Sequence, residues 1–358
     1  MEPHLWADFR SDACTAPSHA MRAAMAKAEV GNDDFGEDPT IRRLEERVAG
    51  LLGKPASLFV QSGTMANLVA LLCHLDCGDR LVTSPNFHIF YWEGDAVHRI
   101  VQADFDLASD DTQGRFTTVK PPSEVDARSR LLSLENPVNR LGGTLLSLRH
   151  SCELRDWAAQ RGLALHLDGA RLFHAACALE VEPATLAQCT DTLTVSFNKA
   201  LGAPAGAAVA AAAELIERAR RFRWMLGGAW KQGGILAAAC EAALDTFPDR
   251  IAEDHRLARE LAVALNTIPG VQVDLERVVT NMVHMRVIDQ DVDLAGLHSE
   301  LQAHGVGIGR FKEGRVSRLV THRDISPDSL PRFLELLNRL MSSARCGGGK
   351  PSGGACRV

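Results

Sequence analysis

Leu193-Thr194-Val195-Ser196-Phe197-Asn198-Lys199 is an apolar, β-branched run that ends by delivering one lysine into the small-residue loop Ala200-Leu201-Gly202-Ala203-Pro204. Such a run reads as a buried strand. Earlier in the chain another apolar run, Leu163–Leu167, ends in Asp168-Gly169-Ala170-Arg171. A lysine beyond a strand is, taken alone, most often a solvated surface residue. Its company changes the reading. A strand ending in Asp followed by a strand ending in Lys is what a pyridoxal 5'-phosphate (PLP) enzyme needs: Lys199 forms the Schiff base, and Asp168 keeps the pyridine nitrogen protonated so that the ring can act as an electron sink.

Working outward, Pro39-Thr40 opens a helix whose Leu44, Val48, Leu51 and Leu52 recur with helical period and which closes at Gly53. Ala56–Val60 reads as a strand running into Ser62-Gly63-Thr64, with a helix from Met65 to Leu75. Further strands are expected at Arg80–Thr83, Arg130–Leu134 and Ala207–Ala210, with helical patterns such as Arg155–Arg161 between several of them. Strands alternating with helices predict a mostly parallel α/β sheet. Beyond it, long helices (Ile235–Leu244, Ile251–Leu265) lead into a smaller α+β segment with strands at Val271–Val273, Met282–Val287 and Arg318–Val320 and helices near Leu294–His304 and Pro331–Met341. The expected organisation is an arm over 1–35, a large cofactor-binding domain over 36–250, a small C-terminal domain over 251–345 and a flexible Gly-rich tail over 346–358.

The 358 residues exceed what one core usually holds, in keeping with two domains. A net charge of −6 with no basic block argues against a nucleic-acid role. The nine cysteines are scattered, none with zinc-ribbon spacing, so no metal site is expected. They read as free thiols of a reducing compartment. With no signal-peptide pattern at the start and no apolar run long enough to span a bilayer, the expectation is a cytoplasmic protein without a membrane role.

In an open α/β sheet, ligands gather at the carboxyl ends of strands. Ser62-Gly63-Thr64 offers backbone N–H groups and hydroxyls at a helix N-terminus, either a phosphate cradle or an ordinary N-cap. His88, after Pro85-Asn86-Phe87, is a candidate to stack on a flat ring.

Taken together, Asp8-Phe9-Arg10-Ser11-Asp12, Gly36-Glu37-Asp38-Pro39-Thr40, Ser62-Gly63-Thr64-Met65-Ala66-Asn67, His166-Leu167-Asp168-Gly169-Ala170-Arg171-Leu172 and Lys199–Pro204 resemble, in order, successive landmarks of the L-threonine aldolases of the β-eliminating-lyase group. Leu226-Gly227-Gly228 and Arg318–His322 extend the resemblance almost to the C-terminus. It implies a fold-type I (aspartate-aminotransferase-like) PLP enzyme that splits a β-hydroxy-α-L-amino acid into glycine and an aldehyde. It implies Lys199 as the Schiff-base lysine, Asp168 as the pyridinium partner, His88 as the stacking histidine, and Ser62, Gly63 and Thr64 around the phosphate. Ser11, Arg171 and Arg318 match positions that grip the substrate α-carboxylate, a task suited to the guanidinium fork, with Arg171 also at the cofactor. Glu93 matches a carboxylate paired with that histidine in proton transfer. The group builds its sites across a dimer and pairs dimers into tetramers, so Phe35 and Lys231 are expected in the neighbour's site, with Lys231 near the phosphate.

The chain departs from the family around the substrate. Asn136-Pro137-Val138-Asn139 places Val138 where a histidine is usual. Phe35 stands for a tyrosine, Ala13 for a threonine, Trp224 for a basic residue and Lys231 for an arginine. These changes predict a more apolar pocket, with Phe35 and Val138 against the substrate, and a substrate bulkier or less polar than threonine. The competing readings are a PLP enzyme that racemises a small amino acid or performs β-elimination or replacement, and a role without PLP. The intact Lys199, Asp168, Arg171 and Arg318 set argues against the last.

Overall fold

The computed structural model describes residues 5–346. The expected tail lies outside them except for its first residue, Cys346, which ends the last helix. A seven-stranded sheet forms the centre, with strands β1 (Ala56–Val60), β2 (Arg80–Thr83), β3 (Asp104–Leu107), β4 (Ser129–Glu135), β5 (Ala164–Asp168), β6 (Thr192–Ser196) and β7 (Ala207–Ala211). Their spatial order is β1-β7-β6-β5-β4-β2-β3. The β2–β3, β2–β4, β4–β5 and β5–β6 pairs are parallel, and β7 alone runs antiparallel to both neighbours. Strands β1–β6 therefore all deliver their carboxyl ends to one edge of the sheet.

Both faces of the sheet are covered, which is why its strands read as unbroken apolar runs. In β7, Ala208 and Ala210 join one core cluster, and Ala207, Val209 and Ala211 join another beneath the helices Gly63–His74 and Ala213–Met225. The helix Pro39–Leu51 starts where Asp38 Oδ1 accepts the N–H groups of Thr40 and Ile41, and it buries Ile41, Leu44 and Val48. Both carboxylate capping and a proline in the first turn favour that start.

A second core gathers the helix Phe247–Leu265, the C-terminal helix Ser329–Cys346 and a three-stranded antiparallel sheet: β8 (Val271–Gln272), β9 (Met282–Val287) and β10 (Val316–Val320), with β9 in the middle. Val283, Met285 and Val287 face this core, so His284 and Arg286 point to the opposite face. The pairing register sets His284 directly opposite Arg318.

Three features differ from the sequence reading. The start of the expected arm is part of the second core: Ala7–Asp8 pairs in parallel with Val306–Gly307, and Phe9 packs against Phe333 with ring centroids 5.0 Å apart. A two-residue strand carries too little periodicity to be seen in sequence. The edge strand β3 and the hairpin Ser109–Gln113/Phe116–Lys120 were likewise not anticipated, because their polar, partly exposed sequences lack an apolar run. Finally, the thiols are not all free. The fold brings the Cα atoms of Cys152 and Cys189 to 5.7 Å and joins them in a disulfide, across a separation that sequence spacing does not reveal.

Candidate active site

At the carboxyl edge of the main sheet, Asp168 ends β5 and Glu135 ends β4 directly beside it in register, while Lys199 lies three residues beyond β6. All three groups are drawn together by parallel pairing alone. Asp168 is buried. Burial opposes its charge, but Lys199, His88, a hydrogen bond from Asn67 Nδ2 (2.9 Å) and the N–H of Ala170 (3.0 Å) outweigh it and keep the carboxyl below its usual range. Burial and the charge of Arg171 push the Lys199 amine down, against Asp168, Asp12 and Glu135, in the direction that favours a nucleophilic lysine.

His88 opens the turn after β2 and is half-buried. Its Nδ1 lies 3.0 Å from Glu93 Oε1, and Glu93 is itself buried rather than at an exposed helix end. Burial works against a charged imidazole, yet Glu93, Asp168 and Glu135 together raise its proton affinity. Asn67 ties the system together. Its amide nitrogen reaches Glu93 Oε2 (3.2 Å) and Asp168 Oδ2, and its oxygen meets Thr194 Oγ1 (3.0 Å) and His166 Nε2 (3.3 Å). Glu135 accepts the backbone N–H of His88 and of Asn139, and burial with the Asp168 charge lifts its carboxyl to about 7.

The helix Gly63–His74 begins beside Lys199: a Cβ on Gly63 would lie 3.6 Å from Lys199 Nζ and 2.8 Å from Ser196 Oγ. Ser62 Oγ accepts the N–H of Met65 (3.2 Å) and so caps the helix. The N–H groups of Gly63 and Thr64 have no such acceptor among the described residues, and Ser196 Oγ is a buried hydroxyl without a hydrogen-bond partner. Unpaired donors at a helix N-terminus, an orphaned hydroxyl and a small-residue approach fit a phosphate group. With Asp168 available for a pyridinium, these residues fit PLP.

The substrate side differs from expectation. Arg171 does not present a free fork: its Nε and Nη2 grip Asp12 at 2.7 and 2.6 Å, with both side chains buried. Arg318 donates to Asn139 Oδ1 and to the carbonyl of Arg10, and it has no carboxylate within ion-pair distance among the described residues. Burial and the Arg171 charge draw it down to about 10, still protonated near neutrality. Of the two arginines, Arg318 is therefore the one whose charge is not already paired with a carboxylate. Ser11 lines the same cavity, with its oxygen engaged by the N–H of Ala13 (3.2 Å).

This cavity, about 750 Å³, lies between the two cores and is lined by Lys199, His88, Arg171, Arg318, Ser11 and Asn139 together with Tyr91, Trp92, Arg140, His284, Arg310 and Lys312. Charged side chains ring it, while apolar atoms, those of Tyr91, Trp92 and Val316 among them, make up the larger share of its exposed wall. The altered positions are not on that wall. Val138 is fully buried in the main core, with Asn139 and Arg140 reaching the cavity in its place. Val138 is held there by its bridge to Thr144, whose carbonyl accepts the Val138 N–H (2.8 Å), before the chain turns at Asn139–Leu141. Ala13 and Trp224 are exposed elsewhere. Phe35 (77% exposed) and Lys231 (ion-paired with Asp34) lie outside the cavity of their own chain. Sequence reasoning missed Asn67, Glu135, Ser196 and His284 as site residues. The first three stood in plain view at strand or helix ends, but nothing in one sequence ranks such polar residues against ordinary caps.

The sequence model of the Beta-eliminating lyase family matches residues 8–288. The chain belongs to that family. It is thus a PLP-dependent lyase. It is 38% identical over 329 residues to the low specificity L-threonine aldolase of Escherichia coli (strain K12), covering 90% of this chain and 96% of that one. To low-specificity L-threonine aldolase 1 of Arabidopsis thaliana it is 35% identical over 344 residues, or 93% and 96% of the two chains. The solved structure of Leishmania major threonine aldolase superposes with a TM-score of 0.76 at 20% identity, over 93% of this chain and 99% of that one, and so shares the fold.

The two arginines should separate on mutation. Arg318→Ala is expected to raise KM by roughly 30- to 1,000-fold, the loss of about 2–4 kcal/mol from a buried charged contact, with little change in Tm. Arg171→Ala strands the Asp12 carboxylate and should destabilise the fold by about 3–5 kcal/mol. Thermal melts and steady-state kinetics of both variants check this; equal losses of stability would contradict the division of labour.

Proposed function

We propose that the chain cleaves β-hydroxy-α-L-amino acids of the threonine and allo-threonine kind to glycine and an aldehyde, by breaking the Cα–Cβ bond. The observation that carries this reading is the placement of Lys199 and Asp168 at adjacent strand ends beside a cavity into which Arg318, a largely buried cation without a carboxylate partner among the described residues, projects. PLP, when bound, supplies the conjugated sink for the electron pair of the broken bond. Gly63, Thr64, Ser62 and Ser196 hold its phosphate end, His88 covers the ring, and Asp168 keeps a proton on the pyridine nitrogen.

The protein's own groups set the direction of the reaction. Arg318, supported by Asn139 and Ser11, holds the substrate α-carboxylate and thereby fixes which Cα bond is aligned for cleavage. The β-hydroxyl loses its proton as the C–C bond breaks and the carbonyl of the aldehyde forms. Cα then takes up a proton, and glycine leaves. The His88–Glu93 pair and Lys199 are the groups at the cavity floor able to hold and return protons. A volume of about 750 Å³ leaves room for side chains bulkier than a methyl group.

The active unit in this reading is a homodimer or a pair of dimers in the cytoplasm, with Phe35 and Lys231 completing the neighbouring site. What supports it is that Phe35 and Lys231 are exposed on their own chain, as are the large apolar side chains Trp224 and Met225, which a covering partner would take out of water. No helix among the described residues is long and apolar enough to cross a membrane.

Two measurements test these readings. Purified holoenzyme should release glycine and the matching aldehyde from threonine, allo-threonine or phenylserine; failure on all three with PLP bound would sink the aldolase reading. Light scattering during turnover should report a dimer or larger, and a fully active monomer would refute the shared site.

A further inference from the structure

Among the side chains of the cavity, few are free to meet an uncharged hydroxyl. Arginine and lysine can donate but never accept. Ser11 is engaged with the Ala13 N–H and Asp12, Asn139 holds Arg171 and Arg318, and His88 Nδ1 faces Glu93. Tyr91 lies beneath the Arg140 guanidinium, 3.7 Å from its ring centroid, and the Glu313 carboxylate is exposed to solvent. His284 is different. It is half-buried, it lines the cavity, and neither of its ring nitrogens has a hydrogen-bond partner among the described residues.

Its position is fixed from two sides. On β9 it sits directly opposite Arg318 on β10, and side chains so paired have Cβ atoms about 4.5–5.5 Å apart on the same face. From the main domain, the turn at Gly142 presses on the ring, since a Cβ there would lie 3.0 Å from His284 Cε1 and Nδ1. Gly142 has φ +78°, a conformation that suits glycine, so the close approach is built into the backbone. The ring also separates this cavity from an adjoining one of about 550 Å³ lined by Arg277, Gln272 and Met282.

We propose that His284 is a specificity-determining residue that hydrogen-bonds the β-hydroxyl of a substrate whose α-carboxylate is held by Arg318. In a β-hydroxy-α-amino acid only a short run of bonds separates those two groups, matching a cross-strand neighbour. Burial and the nearby cations Arg277, Arg318 and Lys312 push the imidazole down to about 4, so near neutrality it is uncharged and can accept from a hydroxyl. The residue selects hydroxylated ligands and orients the oxygen. It is not required for binding the carboxylate. The consequence for catalysis rests on the aldolase reading, but the binding preference does not.

The test compares paired ligands on the holoenzyme by stopped-flow change in cofactor absorbance: L-threonine against L-2-aminobutyrate, L-serine against L-alanine, and glycine. The wild type should favour the hydroxylated member of each pair by roughly tenfold. His284→Phe should bring each pair to about equal affinity while leaving glycine unchanged, and His284→Gln, which keeps a donor and an acceptor, should recover part of the preference. A His284→Phe enzyme that keeps the wild-type ratio overturns the proposal, as does one that loses glycine and threonine affinity equally. If the wild type cleaves no β-hydroxy amino acid, the aldolase reading fails, while the paired affinities still decide the role of His284.

Discussion

The rest of the site depends on keeping one buried carboxylate, that of Asp168, ionised at the end of β5. A carboxylate removed from water is expensive unless paired and hydrogen-bonded. Here Lys199 and His88 supply charge, and Asn67 and the Ala170 N–H supply donors. The same need shapes the neighbourhood. Asn67 spans Asp168 and Glu93, so the carboxylate ending β5 and the carboxylate paired with His88 are held by one amide. Glu135, pushed toward neutrality next to Asp168, is kept in place by two backbone N–H groups rather than by a second cation. Two ionised carboxylates side by side would raise the free energy of the fold; one ionised and one shifted partner lowers it.

The two arginines near the cavity carry different duties for the same electrostatic reason. Arg171 has its own carboxylate, and the pair links the segment after β5 to Asp12 near the chain's start. Arg318 has amide and carbonyl partners only. Its charge is the one that, in the proposed function, meets the substrate carboxylate. Because Arg318 stands on the second core and Lys199 on the first, a substrate held as proposed would span the cleft between them. The fold thus encodes where an amino acid can lie before any substrate is present.

Much of this was legible in the chain. Parallel strands ending in Asp168 and Lys199 follow from two apolar runs, and a helix opening at Ser62-Gly63-Thr64 follows from small polar residues after β1. Legibility failed where long-range geometry decides. Nothing local says that Asp12 occupies the fork of Arg171, that Cys152 meets Cys189, or that His284 faces Arg318 across a sheet. Val138 shows the opposite failure: aligned by motif with a substrate-facing histidine, it turns into the core while Asn139 reaches the cavity. The cavity it was expected to line takes its charged side chains from Arg140, Arg310 and Lys312 instead.

Borohydride reduction of the purified holoenzyme followed by peptide mass mapping tests the central claim most directly. The phosphopyridoxyl group is expected on Lys199 and to be absent from that peptide in a Lys199→Ala protein. Its attachment to Lys54, Lys231 or Lys312 instead, or to no lysine at all, would contradict the account.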